Sequence, residues 1–242
     1  MPSAVVTGAT VLSCTICSKI PHMKESFSLS RSNPGYESPK IKHATLDLQA
    51  SADEMAKELA DVSAEHVFFC AYLARGDPGE AARVNSAMLG NFIRALEVSG
   101  AVKKLKRFIL TCGFKQYGVH LGHPKQPLLE SDPPLENGFG GIAWQTNFYY
   151  DQQRILAEAA ARGNWEWVAT YPEDVLGYAK GNFMNEASAL GLSTKRSQAL
   201  NFLFLAAARI TLPSIAGLRP ICTPSSAFGP RAAHAQGTTR ST

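Results

Sequence analysis

The chain has 242 residues, of which 45% are hydrophobic and 18% are charged, so it can bury the core of a full-sized domain. Its formal net charge is +4, but the stretch from Ser193 onward holds six Lys or Arg and no Asp or Glu, which leaves −2 for residues 1–192. Because the positive excess is confined to the last fifty residues, the charge does not indicate a nucleic-acid partner.

The cysteines and the hydropathy of the chain argue against a disulfide-rich protein and against a membrane-spanning one. The five cysteines form no disulfide framework in a chain of this length, and the single Cys14-x-x-Cys17 pair is interpreted as chance rather than as a metal or redox site. The longest late apolar run, 202–208, ends at Arg209, far short of the roughly 20 residues that cross a membrane. We therefore expect a cytoplasmic protein with reduced thiols, no metal and no membrane association.

Short apolar runs alternate with stretches of helical periodicity along the first 170 residues. Strands are predicted at Ala4–Val6, Phe27–Leu29, Ile41–Leu46, His66–Ala71, Phe108–Thr111 and Trp167–Thr170. Helices are predicted at Ala52–Asp61, Glu80–Ser99 and Asn147–Ala161. This alternation predicts an α/β protein with a Rossmann-like, doubly wound parallel sheet, in which ligands bind beyond the carboxyl ends of the strands.

Residues at the predicted strand ends are typical of a dinucleotide site. The first strand runs into Thr7, Gly8 and Thr10, which read as the start of a phosphate-binding turn. Ser30 and Arg31 follow the second strand, where an arginine pairs with the 2′-phosphate of NADP(H), the alternative being a solvated loop residue. The third and fourth strands are followed by further candidates for adenine contact and for close backbone approach: Asp47, Leu48 and Ala71.

Two later segments carry candidate catalytic residues. The segment LTCGFKQYG places Lys115 just past the fifth strand, and NFYYDQQR places Tyr149 and Tyr150 at a helix start. A cation one helical turn after a tyrosine lowers the phenol pKa, and Arg154 occupies that position relative to Tyr150. Because the protonation of arginine is fixed, Lys115 is the better candidate for that cation. The alternative is that both tyrosines only pack the helix start.

In order and spacing, LTCGFKQYG, NFYYDQQRIL and PEDVLGYAKGNFMN resemble motifs of the progesterone 5β-reductase/iridoid synthase-like (PRISE) enzymes, which are atypical extended short-chain dehydrogenases. The resemblance covers about residues 26–192. It implies that NADPH reduces an activated C=C bond of an enone or enal, in fungal secondary metabolism. A homodimer is compatible with this interpretation. The rival functions are an extended short-chain epimerase or carbonyl reductase, and an inactive or cofactor-sensing protein.

The resemblance also implies roles for single residues. The family's catalytic tyrosine falls on Tyr150 and its lysine on Lys115. Its NADP-selecting arginine falls on Arg31, and its adenine-side aspartate falls on Asp47. The loop beside the nicotinamide falls on Pro172 through Val175.

Two regions depart from the family pattern. After Thr10, the segment VLSCTIC lacks both later glycines of the phosphate-binding turn, so we expect weakened NADPH binding. From Ser193 the resemblance stops, and we interpret both departures as changes of gene model or splicing. The predicted organisation is an NADP-binding, Rossmann-like domain over 1–192 that carries the catalytic motifs. It is followed by a divergent, poorly ordered tail over 193–242, which leaves the substrate-binding part incomplete.

Overall fold

The computed structural model of the protein describes residues 3–8, 25–33, 35, 37–122, 125–132, 134–135 and 146–172. Within these ranges six parallel strands form one sheet in the order β3-β2-β1-β4-β5-β6. Their bounds are β1 Ser3–Thr7, β2 Glu25–Ser30, β3 Ile41–Thr45, β4 His66–Phe69, β5 Arg107–Thr111 and β6 Glu166–Thr170. The predicted Rossmann-like parallel sheet is confirmed.

The strand order reverses at β1, which pairs with β2 on one side and with β4 on the other. Val5 of β1 lies opposite Phe27 of β2 and Val67 of β4, so the apolar runs of all three strands are in register. Ala4 through Thr7 are buried, as expected for a central strand covered on both faces. In doubly wound sheets the crevice at such a reversal is the usual ligand site.

The described residues include three α-helices, and the residue before each helix accepts a backbone amide of the first turn with its side chain. They are α1 Ala52–Glu58, α2 Pro78–Ser99 and α3 Phe148–Arg162. Ser51 and Glu54 form a reciprocal capping box on α1. Asp77 caps α2 just before a proline at the first helical position, and Asn147 caps α3. Because of the Asp77 cap and the proline that follows it, α2 starts at Pro78, two residues before the predicted Glu80.

The core lies between the sheet and helices α1, α2 and α3, and its largest side chains are aromatic rings. The Phe69 ring is 5.8 Å from that of Phe92 on α2 and 6.2 Å from that of Phe108 on β5. Trp165 packs against Phe108 at 6.0 Å, and none of these four side chains is more than 8% exposed. Aromatic pairs at such separations add to the stabilisation that comes from burial.

Several boundaries differ from those predicted. β4 ends at Phe69, so Cys70 and Ala71 lie in the following loop, whose Leu73 amide donates to Asn85 on α2. α1 ends at Glu58 rather than at Asp61. The predictions that concern Thr10, the turn after it, Val175 and residues 193–242 lie outside the described residues.

No helix of the described residues is both long enough and apolar enough to cross a bilayer.

Candidate functional site

The carboxyl ends of the six strands meet at one edge of the sheet, as parallel pairing requires. Thr7 of β1 lies opposite Leu29 and Phe69, and Ser30 of β2 lies opposite Thr45 of β3. On the other half of the sheet, Thr111 of β5 pairs with Thr170 of β6. The residues that follow these positions therefore share one edge, where the sequence places the cofactor site.

Gly8 makes the tightest backbone contact at this edge. Its φ is +64°, and a β carbon there would lie 2.5 Å from the Ala71 Cα and 2.9 Å from the carbonyl carbon of Cys70. Only glycine fits this position, because both the space and the left-handed backbone exclude a side chain. Two predicted cofactor-binding residues, Gly8 and Ala71, are thus brought into contact at the strand-order reversal.

Thr7, just before Gly8, is fully buried at the end of β1. Its hydroxyl oxygen has no hydrogen-bond partner within the described part of the chain. A buried polar atom of this kind calls for a partner, and it lies at the edge where a ligand is expected.

The loop after β2 holds Ser30 and Arg31. The Ser30 hydroxyl donates to the Ser32 carbonyl at 2.7 Å, and the same oxygen lies 3.1 Å from Nε2 of His43 on β3. Because the single hydroxyl proton is used on Ser32, the His43 ring nitrogen is the donor in the second contact. The Arg31 side chain is exposed beyond these two strands. Sequence reasoning missed His43, whose contact depends on the register of β2 and β3.

Asp47 and Leu48 follow β3 and differ in their surroundings. Asp47 is exposed, and one of its carboxylate oxygens accepts the Gln49 amide at 3.0 Å. The Leu48 side chain packs into the hydrophobic core. Any cofactor contact by Leu48 would therefore use its backbone.

The Tyr150 hydroxyl is held inside the protein by two backbone groups. It donates to the Gln116 carbonyl at 2.7 Å and accepts the Leu135 amide at 3.1 Å. The Tyr150 residue is only 7% exposed. The phenol that the sequence assigns to catalysis thus joins α3 to the segment after β5.

Lys115 lies in a short 3-10 helix, Phe114–Tyr117, next to this contact. Its carbonyl accepts the side-chain amide of Asn147 at 3.0 Å, which fixes the start of α3 against the loop. The Lys115 side chain is exposed. Burial lowers the pKa of His120, and the positive charge of Lys115 lowers it further. The two segments with the predicted catalytic residues therefore meet through α3 side chains that bond to the Lys115 and Gln116 carbonyls. Within the described part of the chain, the Lys115 ammonium takes no part in these contacts.

Tyr149, the neighbour of Tyr150, directs its hydroxyl to the carboxyl end of β5. A β carbon at Gly113 would lie 3.1 Å from the Tyr149 hydroxyl oxygen and 3.7 Å from the Pro172 carbonyl oxygen. Burial, with smaller contributions from the nearby Cys112 and Tyr72, raises the pKa of Tyr149 to about 12. A protonated phenol therefore stands where β5, β6 and α3 converge.

Gln153, one helical turn after Tyr149, organises the polar groups around it. The Tyr171 hydroxyl donates to the Gln153 side-chain carbonyl at 2.8 Å, and the Gln153 amide donates to the Gln116 side chain at 3.0 Å. Burial raises the pKa of Tyr171 above its ordinary value. Gln153 lies one helical turn after Tyr149, just as Arg154 lies one turn after Tyr150. By contrast, Arg154 forms an exposed ion pair with Asp151.

Cys112 directly follows β5 at the same edge of the sheet. It is 8% exposed, and burial raises the pKa of its thiol to about 12. The group is therefore a neutral, weak donor rather than a nucleophile.

We expect Cys112 to resist alkylation in the folded protein. With a pKa of about 12, its thiolate fraction at pH 8 is on the order of one part in ten thousand. Iodoacetamide at pH 8, followed by peptide mass spectrometry, should leave Cys112 unmodified unless urea is present. Native-state labelling as fast as in urea would contradict this environment.

Metal ligands are not gathered at this edge. In the ranges that the structure covers, no group of three or more His, Cys, Asp or Glu side chains could hold a metal ion.

Comparison with known proteins identifies relatives in fungi. The model of the PRISE-like Rossmann-fold domain matches residues 41–201. An uncharacterised protein of Schizosaccharomyces pombe is 34% identical over 197 residues, covering 78% of this chain and 48% of that protein. The short chain dehydrogenase gsfE of Penicillium aethiopicum is 32% identical over 141 residues, covering 57% of this chain and 35% of the relative. The chain thus matches about half or less of the length of these relatives.

Solved structures share the fold at low sequence identity. A UDP-glucose 4-epimerase from Thermotoga maritima has a TM-score of 0.57 at 14% identity, covering 78% of this chain and 61% of the epimerase. The enzyme WbmH of Bordetella bronchiseptica, in complex with NAD+, has a TM-score of 0.53 at 13% identity. The match covers 75% of this chain and 60% of WbmH. Because the family model spans most of the described sheet and helices, the chain belongs to the PRISE-like Rossmann-fold family of extended short-chain dehydrogenases/reductases.

Proposed function

We propose that this protein uses NADPH to reduce an activated C=C bond of an enone or enal, as part of fungal secondary metabolism. The observation that carries the proposal is the protonated Tyr149 phenol beside Gly113, on the same sheet edge as the Gly8 contact. One edge thus offers both a place for a dinucleotide and a donor for a carbonyl oxygen.

The described residues fit a dinucleotide. Gly8 and Ala71 approach closely at the strand-order reversal, and the buried Thr7 hydroxyl has no hydrogen-bond partner among the described residues. The exposed Arg31 guanidinium suits the 2′-phosphate that distinguishes NADPH from NADH, and Asp47 suits the adenine amino group. When bound, NADPH supplies the hydride that adds to the β carbon of the substrate.

Tyr149 would stabilise the charge that develops during this addition. As the β carbon gains the hydride, negative charge accumulates on the carbonyl oxygen as the enolate forms. Because the Tyr149 phenol keeps its proton at neutral pH, it donates a hydrogen bond to that oxygen, and this bond strengthens in the transition state. The Tyr150 hydroxyl would first have to leave the Gln116 carbonyl to play this role.

The first experiment is an assay of the purified chain with NADPH and trans-4-phenylbut-3-en-2-one. We expect loss of NADPH absorbance and formation of the saturated ketone 4-phenylbutan-2-one, identified by gas chromatography and mass spectrometry. Formation of the allylic alcohol instead would identify a carbonyl reductase, and no turnover at any NADPH concentration would contradict the proposed reaction.

Arg31 should determine the choice of cofactor. A charge-assisted bidentate pair with the 2′-phosphate contributes about 1.5–3 kcal/mol, so Arg31→Ala should weaken NADPH binding roughly tenfold or more and leave NADH binding nearly unchanged. The measurement is isothermal titration of both cofactors. Arg154→Ala, which removes an exposed arginine already paired with Asp151, is the matched control. Equal affinity of the unmodified protein for both cofactors would contradict this role.

A further inference from the structure

The loop after β4 presents an exposed aromatic ring at the edge of the site. Tyr72 is 43% exposed, although one face of its ring stacks on Phe148 at the start of α3, with centroids 5.6 Å apart and planes 14° from parallel. A large ring that is held flat on one side and still exposes this much surface offers an apolar contact at low cost in conformational entropy.

This ring is contiguous with the candidate acid. The Phe148 ring meets that of Tyr149 edge-on, with centroids 4.6 Å apart. The Tyr72 phenol is close enough to Tyr149 to contribute to the rise of the Tyr149 pKa. Tyr72, Phe148 and Tyr149 therefore form one aromatic surface, and its last hydroxyl lies beside Gly113.

A buried asparagine fixes the loop that carries Tyr72. The Asn85 side chain on α2 accepts the Leu73 amide and donates to the Leu73 carbonyl, both at 2.9 Å. The same amide donates to the Ala81 carbonyl at 2.8 Å, and the Gln152 side chain on α3 donates to the Asn85 carbonyl at 2.9 Å. A network satisfied in this way holds the loop and α3 in a fixed relation.

We propose that Tyr72, held by Asn85 and stacked on Phe148, is a specificity residue that binds a flat conjugated group attached to the β carbon of the substrate. The chemical class of this ligand rests on the proposed function. An aryl or extended conjugated enone offers a planar π face to Tyr72 while its carbonyl oxygen reaches Tyr149. A short aliphatic enone can make only the contact between its carbonyl oxygen and Tyr149.

The test compares two enones that differ only in the β substituent, trans-4-phenylbut-3-en-2-one and trans-pent-3-en-2-one. Tyr72→Ala should raise KM for the phenyl compound about tenfold, which corresponds to about 1.4 kcal/mol, and should change KM for the methyl compound less than about twofold. Tyr72→Phe, which keeps the ring, should restore the wild-type KM. Val98→Ala, which removes a 50% exposed side chain near the far end of α2, is the control.

A binding measurement separates this inference from the proposed reaction. Saturation-transfer NMR with 4-phenylbutan-2-one and NADP+ needs no turnover, and its signal should fall in Tyr72→Ala but not in Tyr72→Phe. If the protein reduces neither enone but shows this Tyr72-dependent binding, the proposed reaction fails and the specificity role stands. If both enones are reduced and Tyr72→Ala affects them equally, the role of Tyr72 is overturned and the reaction stands. Absence of both reduction and binding overturns both.

Discussion

Tyr149→Phe should lower kcat for an enone by about 10²–10³-fold, the effect typical of removing one donor to a developing oxyanion. The substitution keeps the ring and its contact with Phe148, so the packing at the start of α3 should be retained. NADPH affinity should hardly change, because the phenol acts on the carbonyl oxygen rather than on the dinucleotide. Steady-state kinetics together with fluorescence titration of NADPH measure both quantities.

Tyr150→Phe is the matched variant, since it removes the neighbouring hydroxyl from the same helix. It should mainly lower the free energy of unfolding, by about 1–3 kcal/mol, because the Leu135 amide loses its acceptor and the Gln116 carbonyl loses its donor. Its kcat should stay within a few-fold of wild type. The opposite pattern, with Tyr150→Phe inactive and Tyr149→Phe active, would support the assignment that the sequence motif suggests.

The sheet was predictable because each strand is a short run of apolar residues that must be covered on both faces. The apolar runs around Val5, Val67 and Phe108 are buried by neighbouring strands and by the helices alone. The alternation of such runs with segments of helical periodicity therefore specifies the fold. The residues at the strand ends were predictable for the same reason. Once the strands are parallel, Gly8, Arg31 and Ala71 must share one edge.

The motif assigns the catalytic role to Tyr150, but it carries no information about which way the two adjacent side chains point. Adjacent residues on a helix point about 100° apart, so one of the two faces the sheet edge and the other faces a neighbouring segment. Which one does so depends on how Asn147 and Gln116 anchor the start of α3, and these contacts join residues about thirty positions apart in sequence. The roles of Asn85 and His43 depend in the same way on contacts that exist only in the folded chain.

Gly8→Ala should be the most destabilising single change at the cofactor edge. The added β carbon would lie 2.5 Å from the Ala71 Cα and 2.7 Å from the Ala71 nitrogen, and both are backbone atoms that cannot rotate away. The φ of +64° adds a cost of its own for a residue with a side chain. Strain of these two kinds costs about 2–5 kcal/mol in total, which approaches the whole stability of many domains.

Urea denaturation of the purified variants measures this loss, with Gly76→Ala as the matched control. Gly76 lies in the loop after β4, and a β carbon there would meet nothing within 4 Å. We expect Gly76→Ala to unfold within about 0.5 kcal/mol of wild type, as surface substitutions usually do. If Gly8→Ala unfolds too readily to purify, its soluble yield should fall well below that of Gly76→Ala expressed in parallel. Gly8→Ala protein with wild-type stability and NADPH affinity would contradict the close contact of β1 with the loop after β4, on which the cofactor edge depends.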